Sequence, residues 1–237
     1  MLIACWSGPR NISTALMRSW SSRKDTFVSD EPFYAYYLKK NRIKHPLSEQ
    51  IINLYPNSYD LIVKSITSTV PKNKKIWYQK HMAHHIDESS NLSWTKEMNN
   101  AILLRHPSLV IDSFSKKSKL NDSRQLGYEQ QFKIYKYLKS QNKDVFIINT
   151  EIFLDAPELY LRNWCRFLKI QFDKSMLNWD KNFNKYDGLW GKHWYKNVNN
   201  STGFKKNKIK AKKISDKYST IYDESMIFYN KLVNLTK

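Results

Sequence analysis

MLIACWSGPRNIST, residues 1–14, is the stretch that decides how this chain folds. Its apolar run, Leu2 to Trp6, breaks at Ser7-Gly8-Pro9, and a helical apolar pattern begins at Ala15. This order predicts a buried strand, a tight turn and the start of a helix. Because free amides and the positive end of the helix dipole meet at such a turn, we expect an anion-binding loop there. The loop also carries one guanidinium and two hydroxyls, from Arg10, Ser13 and Thr14.

This loop does not have either of the common nucleotide-binding signatures. The residues after Gly8 never supply the Gly-Lys pair of the triphosphate loop G-x-x-x-x-G-K-[ST], and no G-x-G-x-x-G follows the strand. A strand that leads into a hydroxyl-capped helix start is also common in proteins without such a ligand. The loop alone therefore predicts an anion site without identifying the anion.

A second strand and helix start repeat the arrangement. Ala101 to Leu104 is a short apolar run that ends in Arg105-His106-Pro107, and Ser113 follows eight residues after Arg105. Proline suits the first turn of a helix. Since ligands of open α/β sheets bind at the carboxyl edge of the strands, both motifs should face one edge. A ligand with two separated anionic groups would suit them.

Together these motifs resemble those of the sulfotransferases that use 3′-phosphoadenosine 5′-phosphosulfate (PAPS). In that family a basic residue precedes two hydroxyls by three and four positions, and a later Arg precedes a Ser by eight. A third segment agrees, with a strand at Val145 to Ile148, then Thr150-Glu151 and a helical stretch from Leu161 to Leu168. The resemblance implies a P-loop NTPase-like α/β fold, with a mainly parallel central sheet flanked by helices on both faces. We expect one domain over residues 1–237.

The resemblance also implies a set of PAPS-binding residues. The first loop would hold the 5′-phosphosulfate, Arg105 and Ser113 would hold the 3′-phosphate, and a C-terminal loop would close over it. The sequence departs from the family pattern at two residues, with Arg10 where better-studied members have Lys and Thr150 where the family usually has Tyr. In addition, the family's Gly-rich C-terminal loop has no clear counterpart. The candidates are Gly8, Pro9, Arg10, Asn11, Ile12, Ser13, Thr14, Arg105, Ser113, Thr202, Gly203 and Lys205.

The implied reaction is in-line transfer of a sulfuryl group from PAPS to an acceptor hydroxyl or amine. Arg10 is the first candidate for stabilising charge on the leaving phosphate, and Lys80 is the second. For the base we consider Glu31, used in bacterial and carbohydrate sulfotransferases that resemble this arrangement, or a histidine of the cluster His81, His84 and His85. Met82 occupies the family's usual histidine offset from Lys80.

The acceptor side is less defined by the sequence. Glu31, His81, His84 and Trp194 are the candidate acceptor contacts, and the acceptor is expected to be a small molecule or a carbohydrate. Nearby aromatic residues either line a pocket or pack in the core, and the sequence leaves both open: Phe33, Tyr34, Tyr36, Tyr37, Trp190 and Tyr195. No metal is expected, because the histidine cluster lacks the glutamate of H-E-x-x-H.

Two other functions remain open from the residues alone. One is a kinase-like phosphotransferase on the same fold, and the other is a nucleotide-binding module without turnover. The formal net charge of +19 favours anion steering or a solvated surface over nucleic-acid binding, because the lysines are spread except at 205–213. We expect no leader, the sequence has no apolar run long enough to cross a membrane, and the two cysteines, Cys5 and Cys165, are expected to be packed thiols. We therefore expect a cytoplasmic protein, with its oligomeric state open.

Overall fold

A central sheet of five parallel strands organises the chain. A computed structural model describes residues 1–44, 46–182, 184–206 and 212–236. The strand order across the sheet is β2-β3-β1-β4-β5, and every pairing is parallel. The strands are β1 (Leu2–Ser7), β2 (Thr26–Asp30), β3 (Ile76–Met82), β4 (Asn99–Leu104) and β5 (Val145–Asn149). The mainly parallel sheet predicted from the sequence is confirmed.

Helices connect the strands and follow the last one. The α-helices are α1 (Ser13–Ser21), α2 (Tyr34–Lys40), α3 (Ser48–Leu54), α4 (Tyr59–Ile66), α5 (Pro107–Ser115), α6 (Tyr128–Ser140), α7 (Thr150–Asp155), α8 (Pro157–Phe167), α9 (Gly191–Trp194), α10 (Lys196–Asn199) and α11 (Ser219–Val233). Short 3-10 helices cover Pro71–Asn73, Ala83–His85, Ser93–Glu97, Ser123–Leu126, Lys174–Leu177 and Asp216–Tyr218. None of the helices within the described ranges has both the length and the apolar character needed to cross a bilayer.

Both faces of the sheet are covered by apolar packing. Successive strand side chains point to opposite faces, so Ile3 and Cys5 of β1 enter one core and Ala4 and Trp6 enter the other. The first core lies against α1 and α8, and the second lies against α6 and α11. A strand buried on both faces is apolar along its length, which explains why β1 has no polar alternation.

Local sequence signals fix where two of the site-bearing helices begin. Proline occupies the first turn of α5 and of α8, where its missing N–H costs nothing. At α5 the ring of His106 also accepts a hydrogen bond from the amide of Ser108. This fixes the start of α5 directly after β4, so that Arg105 lies at the carboxyl end of the strand.

The strand order places β1 between β3 and β4. The chain leaves β1 toward one side of the sheet and returns later on the other side, so a crevice forms at the carboxyl ends of these central strands. Both predicted anion motifs open into that crevice, one after β1 and one after β4.

Strand β3 is longer than the sequence suggests. The apolar pattern predicts a strand that ends at Tyr78, whereas β3 continues to Met82 and is buried at every position. Lys80 and His81 therefore lie within the strand, with their side chains on opposite faces. This alternation separates two residues that we expected to share the site.

Candidate active site

A cavity of about 800 Å³ opens at the carboxyl ends of β1, β3 and β4. It brings together the loop after β1, the residue after β2, the end of β3, the start of α5 and the segment before α11. Most of the sequence-predicted site residues line it: Pro9, Arg10, Asn11, Ile12, Ser13, Thr14, Glu31, Lys80, His84, Arg105, Ser113, Trp194, Gly203 and Lys205.

The loop after β1 has an unusual backbone. Arg10 and Ile12 adopt left-handed conformations, with φ of 58° and 42°. Such conformations are disfavoured for residues with side chains, most of all for β-branched ones, and they concentrate at ligand sites. Position 8 has no room for a side chain, because a Cβ there would lie 2.2 Å from the carbonyl oxygen of Leu126. The first turn of α1, beginning at Ser13, leaves amides that lack intrahelical acceptors at this end of the cavity.

Three side chains hold this loop in place. Arg105 donates from Nη1 to the carbonyl oxygen of Arg10 at 2.6 Å. Asn11 donates from Nδ2 to the carbonyl of Leu103 at 2.6 Å, and Thr150 donates from Oγ1 to Asn11 Oδ1 at 2.6 Å. Thr150, which stands where the resembling family has Tyr, is therefore a support of the loop.

The two predicted anion motifs meet in one basic region. Arg10 donates from Nε to Ser113 Oγ at 3.0 Å, so the guanidinium of the first motif reaches the hydroxyl of the second. Burial lowers the pKa of Arg10, and the nearby charge of Arg105 lowers it further. Burial also lowers the pKa of Arg105. Arginine stays protonated nonetheless, so two partly buried like charges face each other, an arrangement that an anion would stabilise.

Further cations surround this basic region. Lys116, Lys117, Lys205 and Lys212 also line the cavity. Lys116 and Lys212 both bind the carboxylate of Asp112, at 2.9 and 2.6 Å. The C-terminal basic run thus contributes Lys205 and Lys212, while its residues 207–211 lie outside the described residues.

The expected C-terminal loop is partly on the cavity wall. Gly203 forms an isolated antiparallel bridge with Asn178 and lines the cavity, as Lys205 does. Thr202 instead accepts a hydrogen bond from the Trp179 amide through its carbonyl oxygen, at 3.0 Å. Thr202 therefore fixes the backbone of the loop on which Gly203 and Lys205 lie.

The other end of the cavity contains a carboxylate cluster. The ammonium of Lys80 donates to Asp30 Oδ1 at 2.9 Å, to Glu31 Oε1 at 2.6 Å and to the hydroxyl of Tyr195 at 2.6 Å. An ammonium has three donors, so these bonds use all of them. Lys80, predicted as a second cation for the leaving group, is instead committed to these three partners. Glu31 has a left-handed backbone with φ of 47°.

Burial has a strong effect on this cluster. It raises the pKa of Asp30, and the neighbouring charge of Glu31 adds to the rise while Lys80 opposes it. Burial by itself would lower the pKa of Lys80, but the charges of Asp30 and Glu31 raise it, so the ammonium stays charged. The pKa of Tyr195 is raised well above its usual value by burial and by both carboxylates. The phenol is therefore neutral.

Aromatic rings line the cavity beside Glu31. His85 stacks on Tyr34 and on Tyr37, with ring centroids 5.2 and 4.6 Å apart, and its Nε2 lies 4.0 Å from Glu31 Oε2. Trp194 and His84 complete this wall. A smaller cavity of about 310 Å³ continues beyond Tyr37 and the two histidines. Of the aromatic residues left open by the sequence, Phe33 and Trp190 pack in the core.

His81 lies in the core instead of on this wall. Its ring stacks on Trp6 at 4.6 Å and lies close to Phe33 and Trp94, with 1% of the residue exposed. Burial lowers the pKa of His81 to about 3, so its imidazole is neutral. Because β3 extends past His81, its side chain points away from Lys80, and it no longer counts among the acceptor contacts. The described residues also contain no group of three or more His, Cys, Asp or Glu that could hold a metal ion.

Several site residues were missed by the sequence analysis. Asp30 was not named, and Tyr195 was named only as a ring that either lines a pocket or packs in the core. Both belong to the cluster around Lys80 although they are far apart in sequence. His85 was grouped with its neighbours without a separate role. Lys116 and Lys117 come directly after α5, three and four positions after Ser113, and this closeness in sequence could have indicated them.

A comparison with protein families gives one match that covers nearly the whole chain. The model of the sulfotransferase domain family matches residues 1–234. This match spans both anion motifs and the carboxylate cluster described above.

Two curated relatives are proteins of Arabidopsis thaliana. Branched-chain-amino-acid aminotransferase-like protein 2 is 32% identical over 203 residues, which is 86% of this chain and 36% of that protein. Branched-chain-amino-acid aminotransferase-like protein 1 is 30% identical over 231 residues, which is 98% of this chain and 41% of that protein. The chain spans less than half of the length of these relatives.

Solved structures with a similar fold are sulfotransferase domains. The domain from the Synechococcus PCC 7002 olefin synthase has a TM-score of 0.55 and 13% identity, and the match covers 98% of this chain and 94% of that one. The domain from the curacin biosynthetic pathway has a TM-score of 0.53 and 16% identity, with 98% and 96% covered. At these identities the likeness concerns the fold, and it confirms the predicted P-loop NTPase-like architecture.

Proposed function

Since the chain belongs to the sulfotransferase domain family, we propose that it transfers a sulfuryl group from PAPS to a hydroxyl or amine of a small acceptor. Family membership supports sulfuryl transfer as the reaction class. The donor, the acceptor and the residue roles are the finer parts of the proposal, and they rest on the chemistry of the cavity.

One observation carries the proposal. A single cavity has two partly buried guanidiniums at one end and the carboxylate of Glu31 at the other. The basic end suits a donor with two anionic groups, and the carboxylate end suits an acceptor that must lose a proton.

The basic end fits the charge of PAPS. Arg10 and Arg105 raise each other's electrostatic energy in a partly buried setting, and a phosphate beside them would remove that cost. The loop amides and the first turn of α1 add neutral donors to the same end. Arg10 and the α1 amides would stabilise charge that develops on the leaving phosphate, and Arg105, Ser113, Gly203 and Lys205 would hold the 3′-phosphate.

At the other end, Glu31 is the proposed base. Its Oε1 accepts from Lys80 and lies 3.2 Å from the Tyr195 hydroxyl, which leaves Oε2 for the acceptor. The acceptor's proton would move to Oε2 as the acceptor oxygen or nitrogen bonds to sulfur and the bond from sulfur to the phosphate oxygen breaks. His84 and Trp194 would contact the acceptor, and Lys80 would hold Glu31 in position.

The first test measures thermal stabilisation by 3′-phosphoadenosine 5′-phosphate, compared with AMP and with ATP plus magnesium. A ligand that binds the folded state alone stabilises it by mass action, by about 2.7 kcal/mol at a hundred times its Kd. We expect Arg105→Ala to weaken binding about 10- to 150-fold, since hydrogen bonds to charged groups contribute about 1.5–3 kcal/mol.

The matched control is Arg124→Ala, because Arg124 pairs with Asp122 on the surface and has 69% of its side chain exposed. It should bind the nucleotide as the wild type does. Equal stabilisation by AMP and the bisphosphate would contradict a 3′-phosphate site. A preference for ATP with magnesium would favour a kinase-like phosphotransferase instead.

The base is tested separately by turnover. With PAPS and an acceptor found by screening, Glu31→Gln should lower kcat by about 100-fold or more, which is the usual range for general base catalysis. Its affinity for the bisphosphate should not change. A variant that transfers sulfate at the wild-type rate would remove Glu31 from the base role.

A further inference from the structure

Asp30 is a buried carboxylate that the proposed reaction does not use. It is the last residue of β2 and directly precedes Glu31. One per cent of its side chain is exposed, compared with 11% for Glu31. Asp30 therefore lies behind Glu31, on the side of the cluster away from the cavity. A buried carboxylate is costly unless it has partners that compensate it, so its position calls for an explanation.

Its partners show what it does to the cluster. Asp30 Oδ1 accepts from the ammonium of Lys80 at 2.9 Å, and Oδ2 accepts from the Gly188 amide at 3.1 Å. The hydroxyl of Tyr195 lies 2.8 Å from each of its two oxygens. Lys80 binds Glu31 with the same ammonium, so one positive charge is divided between two carboxylates.

Division of the charge matters for the base. A carboxylate that has a buried ammonium to itself stays ionised and accepts a proton poorly. A second ionised carboxylate beside it makes the first one easier to protonate. Lys80 is charged and Tyr195 is neutral, so whenever both carboxyl groups are ionised the cluster has a net charge of −1. A base in such a cluster can take a proton and leave the cluster neutral.

We propose that Asp30 is a positioning residue that shares the ammonium of Lys80 with Glu31, so that Glu31 is held in place by Lys80 and remains able to accept the acceptor's proton. The role of Asp30 in catalysis rests on the proposed function, but the electrostatic coupling between Asp30 and Glu31 does not. Asp30 acts through Lys80 and does not itself touch the acceptor.

Other elements also place titratable groups around Glu31. From α2, Tyr34 faces it, and burial together with the Glu31 charge raises the pKa of this phenol, which is therefore neutral. From the 3-10 helix after β3, His85 approaches Oε2 at 4.0 Å. Lys80 comes from β3 and Tyr195 follows α9. Among the described residues, Lys80 is thus the cation that contacts both carboxylates directly.

The test follows the titration of Glu31 by ¹³C NMR in protein labelled at the glutamate carboxyl carbon. The Glu31 signal is assigned by its loss in Glu31→Gln. In Asp30→Asn we expect the titration midpoint of this signal to fall by about one pH unit or more, because a neighbouring like charge is removed. An unchanged midpoint would overturn the proposal.

A second pair of variants keeps the test decisive if Asp30→Asn does not fold. Lys80→Met leaves two carboxylates sharing a site, so the Glu31 midpoint should rise by about 1–3 pH units. Adding Asp30→Asn to Lys80→Met should bring the midpoint down again by about one unit or more. Equal midpoints in Lys80→Met and in the double variant would overturn the proposal.

Asp25→Asn is the matched control for overall charge. Asp25 precedes β2 at its opposite end and pairs with Arg23, so its change should leave the Glu31 midpoint where it is. The measurement needs neither donor nor acceptor. If Asp30→Asn shifts the Glu31 midpoint but the protein does not bind the bisphosphate, then the proposed function is rejected and the effect of Asp30 on Glu31 still stands.

Discussion

Replacing Thr150 by valine tests whether the anion-binding loop depends on a support outside it. Thr150 and Asn11 are buried, with 0% and 2% of each residue exposed. Thr150 Oγ1 donates to Asn11 Oδ1, and Asn11 Nδ2 donates to the Leu103 carbonyl, both at 2.6 Å. Valine keeps the shape of threonine but has no hydroxyl, so it would leave Asn11 Oδ1 buried without this donor.

The expected cost follows from that lost donor. Leaving a buried polar group unsatisfied costs about 1–3 kcal/mol, which for a domain of this size lowers Tm by about 2–12 °C. We expect the same variant to bind 3′-phosphoadenosine 5′-phosphate more weakly, because Asn11 lies between the left-handed residues Arg10 and Ile12. A loop that can rearrange loses part of its preorganisation for the anion.

The assay is urea unfolding followed by tryptophan fluorescence, with the bisphosphate affinity measured in parallel. Thr150→Ser is the control, because serine retains the hydroxyl and should keep most of the stability and of the affinity. If Thr150→Val unfolds at the wild-type urea concentration with the same slope, then the hydrogen bond to Asn11 does not support the loop and the reasoning is refuted.

Two further predictions concern stability. Because His81 has a folded pKa of about 3 against 6.5 for the free group, the unfolded state binds its proton first as pH falls. The free energy of unfolding should therefore fall as the pH is lowered from about 6.5 to 3, by up to about 1.36 kcal/mol per pH unit. In His81→Phe, urea unfolding at a series of pH values should show a weaker dependence of this free energy on pH. The same pH dependence in the variant and the wild type would contradict the prediction. Removing the buried partner of Arg18 with Asp187→Ala should cost about 3–5 kcal/mol, since it leaves an unpaired charge in the core. Glu158→Gln, which breaks an exposed pair, should cost less than about 1 kcal/mol, and similar losses in both would count against the burial argument.

The parts of the site that the sequence predicted share one property. They lie next to a strand end that is evident from an apolar run and a turn, as Arg10 does after β1 and Arg105 does after β4. Parallel strands bring their carboxyl ends to one edge, so position along the chain was enough to predict proximity. That Arg10 reaches Ser113 was not predictable, because it depends on the direction of a long side chain.

The end of β3 shows where this reasoning fails. Gln79, Lys80 and His81 interrupt the apolar pattern, so the strand seemed to end before them, yet all three are buried. Gln79 donates to the carbonyl of Ile66, and its Oε1 lies 3.1 Å from His81 Nε2. Buried polar groups are tolerated where tertiary partners satisfy them, and a single sequence does not show those partners.

That Tyr195 and Asp30 meet at Lys80 was beyond prediction for a different reason. The 184–199 segment, which carries Tyr195, consists of short helices and turns without a clear hydrophobic period. It is held to α1 by the buried pair of Arg18 and Asp187. Only the folded molecule shows that this segment reaches the end of β2.

The position of β1 in the middle of the sheet has a consequence for folding. β1 precedes the other strands in sequence, but it is paired only when Leu2 meets Trp77 on one side and Ile3 meets Asn99 on the other. Long loops must close before these contacts form, and proteins dominated by such non-local pairings fold slowly. The loop after β1 can therefore take its ligand-ready shape only once chain as far as Thr150 has been made and docked. The loop after the earliest of the five strands is therefore among the last parts of the sheet edge to become able to bind a ligand.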